Sequence, residues 1–204
     1  MNQPAPGTVS DCVILAGGMG TRMGQPKALL KINDRTLLKR QHDQLSPLFP
    51  RISVALKDSS LLDPVEALCW HQVLLDPPGS RCLVDVIGSI IERLAVPVFF
   101  AAVDLPHLNQ AVVSTICSHH SAGISVIPVD DQRPQPLAAV WDPSALEFVS
   151  PPDGDLALLA WVKRCRTRLL HWPEQFCSEG DPPTTSPFKN LNTPEDLETW
   201  EADA

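Results

Sequence analysis

Between Leu15 and Lys27 the chain reads Leu15-Ala16-Gly17-Gly18-Met19-Gly20-Thr21-Arg22-Met23-Gly24-Gln25-Pro26-Lys27, a glycine-rich stretch that carries two cations. Glycines lack the Cβ that holds a ligand off the backbone. Successive backbone N–H groups can therefore converge on one anion at Gly17, Gly18 and Gly20. Arg22 adds a planar fork of donors and Lys27 a mobile point charge, the two kinds of donor that suit the oxygens of a triphosphate. Two familiar phosphate loops do not fit. The dinucleotide pattern GxGxxG, begun at Gly18 and Gly20, needs glycine where Met23 stands, and the Walker pattern fails because Lys27 lies between Pro26 and Ala28. The glycines alone describe a phosphate cradle or a tight turn. With Arg22 and Lys27 beside them, phosphate is the better reading, and Leu15 and Ala16 lead the chain into it.

Two acids stand where apolar runs end. Asp104 follows Pro97–Val103 and Asp76 follows Gln72–Leu75. Asp104 reads either as a functional acid beyond a strand end or as a turn aspartate ahead of Pro106. His107 lies near it, a ligand contact or a plain loop residue. His119 and His120 lack a third metal ligand nearby and suit a helix end. The six cysteines show no CxxC or Cys/His spacing and read as small buried thiols of a reducing compartment. Trp70, Trp141, Trp161, Trp172 and Trp200 are dispersed, as core or interface residues are.

The elements that must carry these residues follow from periodicity. Cys12–Ala16 is a continuous apolar run ending in glycine, the pattern of a buried parallel strand before its loop. Lys27–Ile32 predicts a short element, 33–35 a turn, and Thr36 the cap of a helix through Leu38, His42 and Leu45 that Pro47 stops. Further strands are expected at Arg51–Leu56, Gln72–Leu75, Pro97–Val103, Ile124–Val129 and Thr167–Trp172. Helices are expected through Val84, Ile87, Ile91 and Leu94, through Val112, Val113, Ile116 and Cys117, and over Leu156–Val162. Leu137–Trp141 is a further apolar segment, and Glu174–Pro187 an acidic, proline-rich loop. Thr193-Pro194-Glu195-Asp196 has a cap residue, proline at the first helical position and an acid three residues after the cap, so a last helix should begin there. Alternating strands and helices predict a three-layer α/β protein. Ligands of such sheets bind beyond the carboxyl ends of the strands, after Ala16, Leu75 and Val103.

With 204 residues, 44% hydrophobic and 20% charged, the chain has material for one substantial core. We expect residues 1–10 to form a flexible lead and residues 11–204 a single domain. Proline, at 21 residues, is about double ordinary usage and calls for short, stiff loops. The net charge of -8 argues against nucleic acid as a partner. Positive charge is nonetheless concentrated locally, at Arg22, Lys27, Lys31, Arg35, Lys39 and Arg40, which suits a small anionic ligand. Met1–Ser10 does not read as a secretory signal and no apolar run is long enough for a membrane span, so the expected location is the cytoplasm.

At this point the sequence resembles a known family. Leu15 to Leu30 is similar to the opening of nucleotidyltransferases of the molybdenum cofactor guanylyltransferase type. Three later segments match in order: Ala102-Val103-Asp104-Leu105-Pro106, Pro134-Gln135-Pro136-Leu137-Ala138-Ala139-Val140-Trp141, and Phe188-Lys189-Asn190-Leu191-Asn192-Thr193-Pro194-Glu195-Asp196-Leu197. The resemblance implies an α/β/α sandwich with the Rossmann-like nucleotidyltransferase (nucleotide-diphospho-sugar transferase) fold. It implies that Leu15, Ala16, Gly17, Gly18 and Gly20 line the nucleotide phosphates, that Arg22 and Lys27 neutralise them, and that Asp104 holds Mg²⁺. Asp76 would serve the guanosine, and Gln135, Asn190 and Asn192 the pterin side. The implied reaction joins GMP from GTP to molybdopterin with release of pyrophosphate, with transient contact to molybdoenzymes or cofactor chaperones. Where the family has a Gly-Pro-Leu-Ala-Gly-like stretch, this chain has Pro78-Gly79-Ser80-Arg81-Cys82-Leu83-Val84-Asp85-Val86, and Ala55-Leu56-Lys57 stands where a nucleotide-contacting asparagine is expected. These departures leave two alternatives open: cytidylyl or other nucleotidyl transfer to a related phosphate, and a catalytically weak protein that binds nucleotide or cofactor for delivery to a partner enzyme.

Overall fold

The computed structural model describes residues 9–17, 25–62, 67, 69–150, 154–177, 185–193 and 196. Gly18, Gly20 and Arg22 of the glycine-rich stretch lie outside the described residues.

A mostly parallel sheet carries the fold. Its strands are β1 (Asp11–Leu15), β4 (Arg51–Leu56), β5 (Val73–Leu75), β6 (Val98–Ala102), β7 (Ser125–Asp130), β9 (Ala138–Trp141) and β10 (Thr167–His171). They run in the order β10-β7-β9-β6-β1-β4-β5, with the short β8 (Arg133–Pro134) paired to β7. β1 is parallel to both neighbours, Ile14 standing opposite Val54 on one side and Ala101 on the other. β9 alone among the strands on that path is reversed, antiparallel to β6 and β7. The alternation of strands and helices does not reveal this reversal. Leu137–Trp141 returns from β7 through the β8 turn, and too few residues separate them for the crossover that a parallel partner needs.

Side chains alternate across the sheet and sort into two cores. Cys12, Ile14, Ile52, Val54, Leu56, Phe99 and Ala101 face one side, with helices α1 (Leu37–Leu45) and α3 (Gln110–Ser118). Val13, Ala55, Val98 and Phe100 face the other, with α2 (Leu83–Leu94) and α4 (Leu158–Arg164). That is the expected three-layer arrangement. Because both faces are covered, the central strands read as unbroken apolar runs.

Local chemistry sets the boundaries. Thr36 caps α1 by accepting from Lys39 N at 3.1 Å. The element expected at 27–32 is a 3-10 turn, Lys27–Leu29, followed by β2 (Lys31–Ile32), which pairs with β3 (Arg35–Thr36). The two residues between them, Asn33 (φ 49°) and Asp34 (φ 61°), are left-handed, as a two-residue hairpin requires and as these short polar side chains tolerate. α4 begins two residues later than its periodicity suggests, since Ala157 N is taken by the Asp155 side chain. His119 is the C-cap of α3, and buried His120 meets Asp142 Oδ2 at 3.1 Å. The cysteines correct one expectation: all six are free, but Cys12 and Cys165 alone are buried and Cys69 is exposed. Apolar neighbours in sequence do not bury a residue that falls in a loop. Trp141 and Trp161 stack in the core at 4.3 Å, while Trp200 lies outside the described residues.

Candidate active site

The carboxyl ends of β1, β4, β5 and β6 are brought level by hydrogen bonds that continue past the strands. Ala16 N donates to Ala55 O (2.9 Å), Val103 N to Leu15 O (3.1 Å) and Asp76 N to Leu56 O (3.0 Å). Gly17, Lys57, Asp76 and Asp104, far apart in sequence, thereby come to one end of the sheet. A cavity of about 360 Å³ opens there. Among the described residues its polar lining is Lys27, Asp76 and Asp104; much of the rest is aliphatic, from Leu15, Ala55, Leu83, Val86 and Leu137. An apolar slot with a few convergent charges suits a ligand that has a flat ring at one end and anionic groups at the other.

Lys27 is delivered by the 3-10 turn. Its Nζ lies 2.6 Å from Asp104 Oδ2, and both side chains are 17% exposed. The same Nζ donates to Asn192 Oδ1 at 2.8 Å. Asp104 is further held through its backbone carbonyl, which accepts from Leu191 N at 2.9 Å. Leu191 and Phe188 are buried in the α1/α3-side core, so the segment 186–193 is strapped across this end of the sheet. Ser186 Oγ fastens its start to Asp130. The cap expected at Thr193 is formed, because the Asp196 carboxylate accepts from Asn192 N and Thr193 N, both at 2.9 Å, and Asp196 N donates to Thr193 Oγ1.

Asp76 sits across the cavity. Burial pushes its carboxyl up from the ordinary value, and the nearby Lys57 ammonium opposes that shift. A Cβ on Gly17 would lie in ordinary contact with Lys57 N at 3.4 Å and beside Asp76 Oδ2 at 3.8 Å, next to the carboxylate.

The sequence-derived residues divide accordingly. Leu15, Gly17, Lys27, Asp76 and Asp104 line the cavity, and Asn192 joins it through Lys27. Ala16 is fully buried and does not line it. Gln135 turns its side chain to the Arg133 carbonyl, and Asn190 is exposed; neither lines the cavity. Of the apolar wall, Ala55, Val86, Val103 and Leu137 fall in stretches that are compared with the family but are not singled out as site residues, since they look like ordinary core residues in one dimension. Lys57 was legible as the first residue beyond a parallel strand. Leu83, on the cavity wall, is 45% exposed.

Among the described residues no group of three His, Cys, Asp or Glu side chains could enclose a metal ion. The donor set still fits Mg²⁺, which is commonly held by one or two carboxylates with substrate phosphates and water completing its shell. Asp104 would supply such a carboxylate, beside Lys27. No helix among the described residues is long and apolar enough to cross a membrane.

The profile of the MobA-like NTP transferase domain matches residues 12–175. The chain is 30% identical to a molybdenum cofactor guanylyltransferase of Desulfosudis oleivorans over 93% of each chain. It is 27% identical to that of Rhizobium meliloti, covering 98% of this chain and 94% of the relative. In structure it is similar to the molybdopterin-guanine dinucleotide biosynthesis protein A of Archaeoglobus fulgidus, with a TM-score of 0.73 and 19% identity, covering 95% and 97% of the two chains. It is also similar to a nucleotidyl transferase of Methanothermobacter, with a TM-score of 0.71 and 17% identity, covering 96% and 97%. The structural likenesses speak to the fold, the α/β/α arrangement of nucleotide-diphospho-sugar transferases. With a profile matched along most of its length and a relative of this identity, the chain belongs to the MobA-like NTP transferase family.

Proposed function

We propose that this protein transfers GMP from GTP to molybdopterin, releasing pyrophosphate, in a Mg²⁺-dependent reaction. The observation that carries the reading is the Lys27–Asp104 pair, 2.6 Å apart, on the rim of an apolar-walled cavity at the carboxyl ends of the parallel strands. A phosphate oxygen of the acceptor attacks the α-phosphorus in line, the α–β phosphoanhydride bond breaks, and its electron pair leaves with pyrophosphate. Such a transfer needs positioning and charge compensation, with no protein nucleophile.

Lys27 would compensate charge on the triphosphate, and Arg22, from its position in the glycine-rich stretch, would share that task. Gly17 leaves the backbone open to the ligand. Asp76 would accept a hydrogen bond from an N–H or O–H of the nucleoside, while Leu15, Leu83 and Val86 would cover its apolar faces. Asp104 would hold Mg²⁺, which when bound polarises the α-phosphate and stabilises departing pyrophosphate. Asn190 and Asn192, on the strap beside the cavity, would face the pterin substrate.

The test is incubation of the purified protein with molybdopterin, Mg²⁺ and each labelled NTP in turn. Transfer from GTP with release of pyrophosphate is expected. Transfer from CTP alone would overturn the guanylyl assignment. Nucleotide binding without transfer from any NTP would make the chain a carrier rather than an enzyme.

A further inference from the structure

Asn192 lies on the acceptor side of the proposed reaction, yet its side chain is turned to the other substrate's lysine. Its Oδ1 accepts from Lys27 Nζ at 2.8 Å, while Asp104 Oδ2 takes the same ammonium at 2.6 Å. An asparagine that only recognised acceptor would gain nothing from this contact. Asn192 is also held in place. Its own N–H and that of Thr193 are bound by the Asp196 carboxylate, and the preceding residue, Leu191, is buried and hydrogen-bonded to the Asp104 carbonyl. The side-chain carbonyl is thus aimed by contacts on both sides of it.

We propose that Asn192 is a positioning residue for Lys27, keeping the ammonium at the cavity rim where the nucleotide phosphates arrive. This rests on the reading of the cavity as a nucleotide site and extends it. Among the described residues two groups hold Lys27, and of these Asp104 is an anion whose charge a divalent cation would claim. Asn192 is neutral: it orients the ammonium without cancelling its charge, and it keeps its hold when Asp104 has another cation to serve. A neutral acceptor leaves the lysine's full charge available to phosphate; a second carboxylate would not. The strap that carries Asn190 and Asn192 is thereby tied to the lysine on the nucleotide side, so displacement of Asn192 by the acceptor would be felt at the triphosphate.

Two measurements on Asn192→Ala test this, neither requiring turnover. The first is the rate of reductive methylation of Lys27 in the nucleotide-free protein, followed by mass spectrometry. An ammonium held by two acceptors reacts slowly, and losing Asn192 should speed labelling at Lys27 several-fold while leaving the exposed Lys39 unchanged. The second is titration with a fluorescent GTP analogue and Mg²⁺ in the absence of acceptor. Affinity should fall on the order of tenfold, the scale of one hydrogen bond to a charged group. The melting temperature should stay that of the wild type, because the Asn192 side chain is exposed and its backbone contacts survive the substitution. Unchanged labelling of Lys27, or unchanged or tighter GTP binding, would overturn the proposal and return Asn192 to acceptor recognition alone. Labelling needs no nucleotide, so it separates failure of this inference from failure of the nucleotide reading. A wild-type protein that binds no NTP would remove both.

Discussion

Gly17→Ala separates a glycine needed by the fold from one needed by the ligand. The added Cβ would lie 3.4 Å from Lys57 N, 3.7 Å from Lys57 Cβ and 3.8 Å from Asp76 Oδ2, distances of ordinary contact, and Gly17 is not among the left-handed glycines. Where the backbone accepts alanine, replacing glycine stabilises by about 0.4–1 kcal/mol through the unfolded chain. For a chain of this length that raises the melting temperature by roughly 1–4 °C. Part of the gain is spent on the 3.4 Å approach to Lys57, so a shift between nothing and about +4 °C is expected. Binding should move the other way. The methyl group stands in front of Asp76 on the cavity wall, and nucleotide affinity should fall at least about tenfold, or about 1.4 kcal/mol. The assays are a thermal melt and titration with a fluorescent GTP analogue. Because the methyl acts by shielding Asp76, its effect should shrink in an Asp76→Ala background instead of adding to it. A melting temperature lowered by several degrees would refute the packing argument. Unchanged affinity would show that the ligand does not pass Gly17.

Three further outcomes follow from the same cavity. Asp104→Asn should abolish most nucleotidyl transfer yet fold, losing about 1–2 kcal/mol, between the values for exposed and buried ion pairs; unchanged turnover at limiting Mg²⁺ would remove Asp104 from the metal site. Asp76→Asn should be more stable than the wild type at pH 7 and lose nucleotide affinity. Burial raises the folded-state pKa of Asp76 above its unfolded value, so the stabilising contribution is full below the ordinary carboxylate range and is lost as pH rises through the raised value. The stability gap between variant and wild type, measured by urea unfolding, should therefore close in acid; a gap independent of pH would contradict the assigned cause. Leu83→Ala should cost less than about 0.5 kcal/mol, as partly exposed side chains do, while changing the GTP-to-CTP preference on the order of tenfold, the scale of apolar pocket discrimination. An unaltered preference would take Leu83 out of the base-binding wall.

Much of the scaffold is readable in one dimension because the signals are local. The run Cys12–Ala16 marks a strand covered on both faces, Thr36 marks a cap, and Val84, Ile87 and Ile91 mark one face of α2. The reversal of β9 is not local: it depends on which neighbours the strand finds, and its composition serves either direction. The burial of cysteines failed for a similar reason, since exposure at Cys69 is set by the path of a loop. For the site, strand-end positions identified Asp76 and Asp104, and spacing identified Lys27. Ala55, Val86, Val103 and Leu137 are not singled out within their stretches because a cavity-lining aliphatic residue and a core one have the same chemistry until the cavity exists.

By itself the sequence pointed to the kind of chemistry: glycines and a lysine after a buried strand, and acids after two others, are residue types suited to a phosphorylated ligand. Residue type and local spacing are enough for that, because the backbone's freedom and the side chain's charge travel with the residue. What tertiary structure alone decided is how those groups are used. Lys27, Asp104 and Asn192 are separated by up to 165 positions, yet meet at one ammonium. That meeting depends on the parallel alignment of β1 and β6 and on a strap pinned by Leu191 in the core. Contacts of that range are fixed by how the sheet orders its strands and by what the core buries, and no local pattern records either.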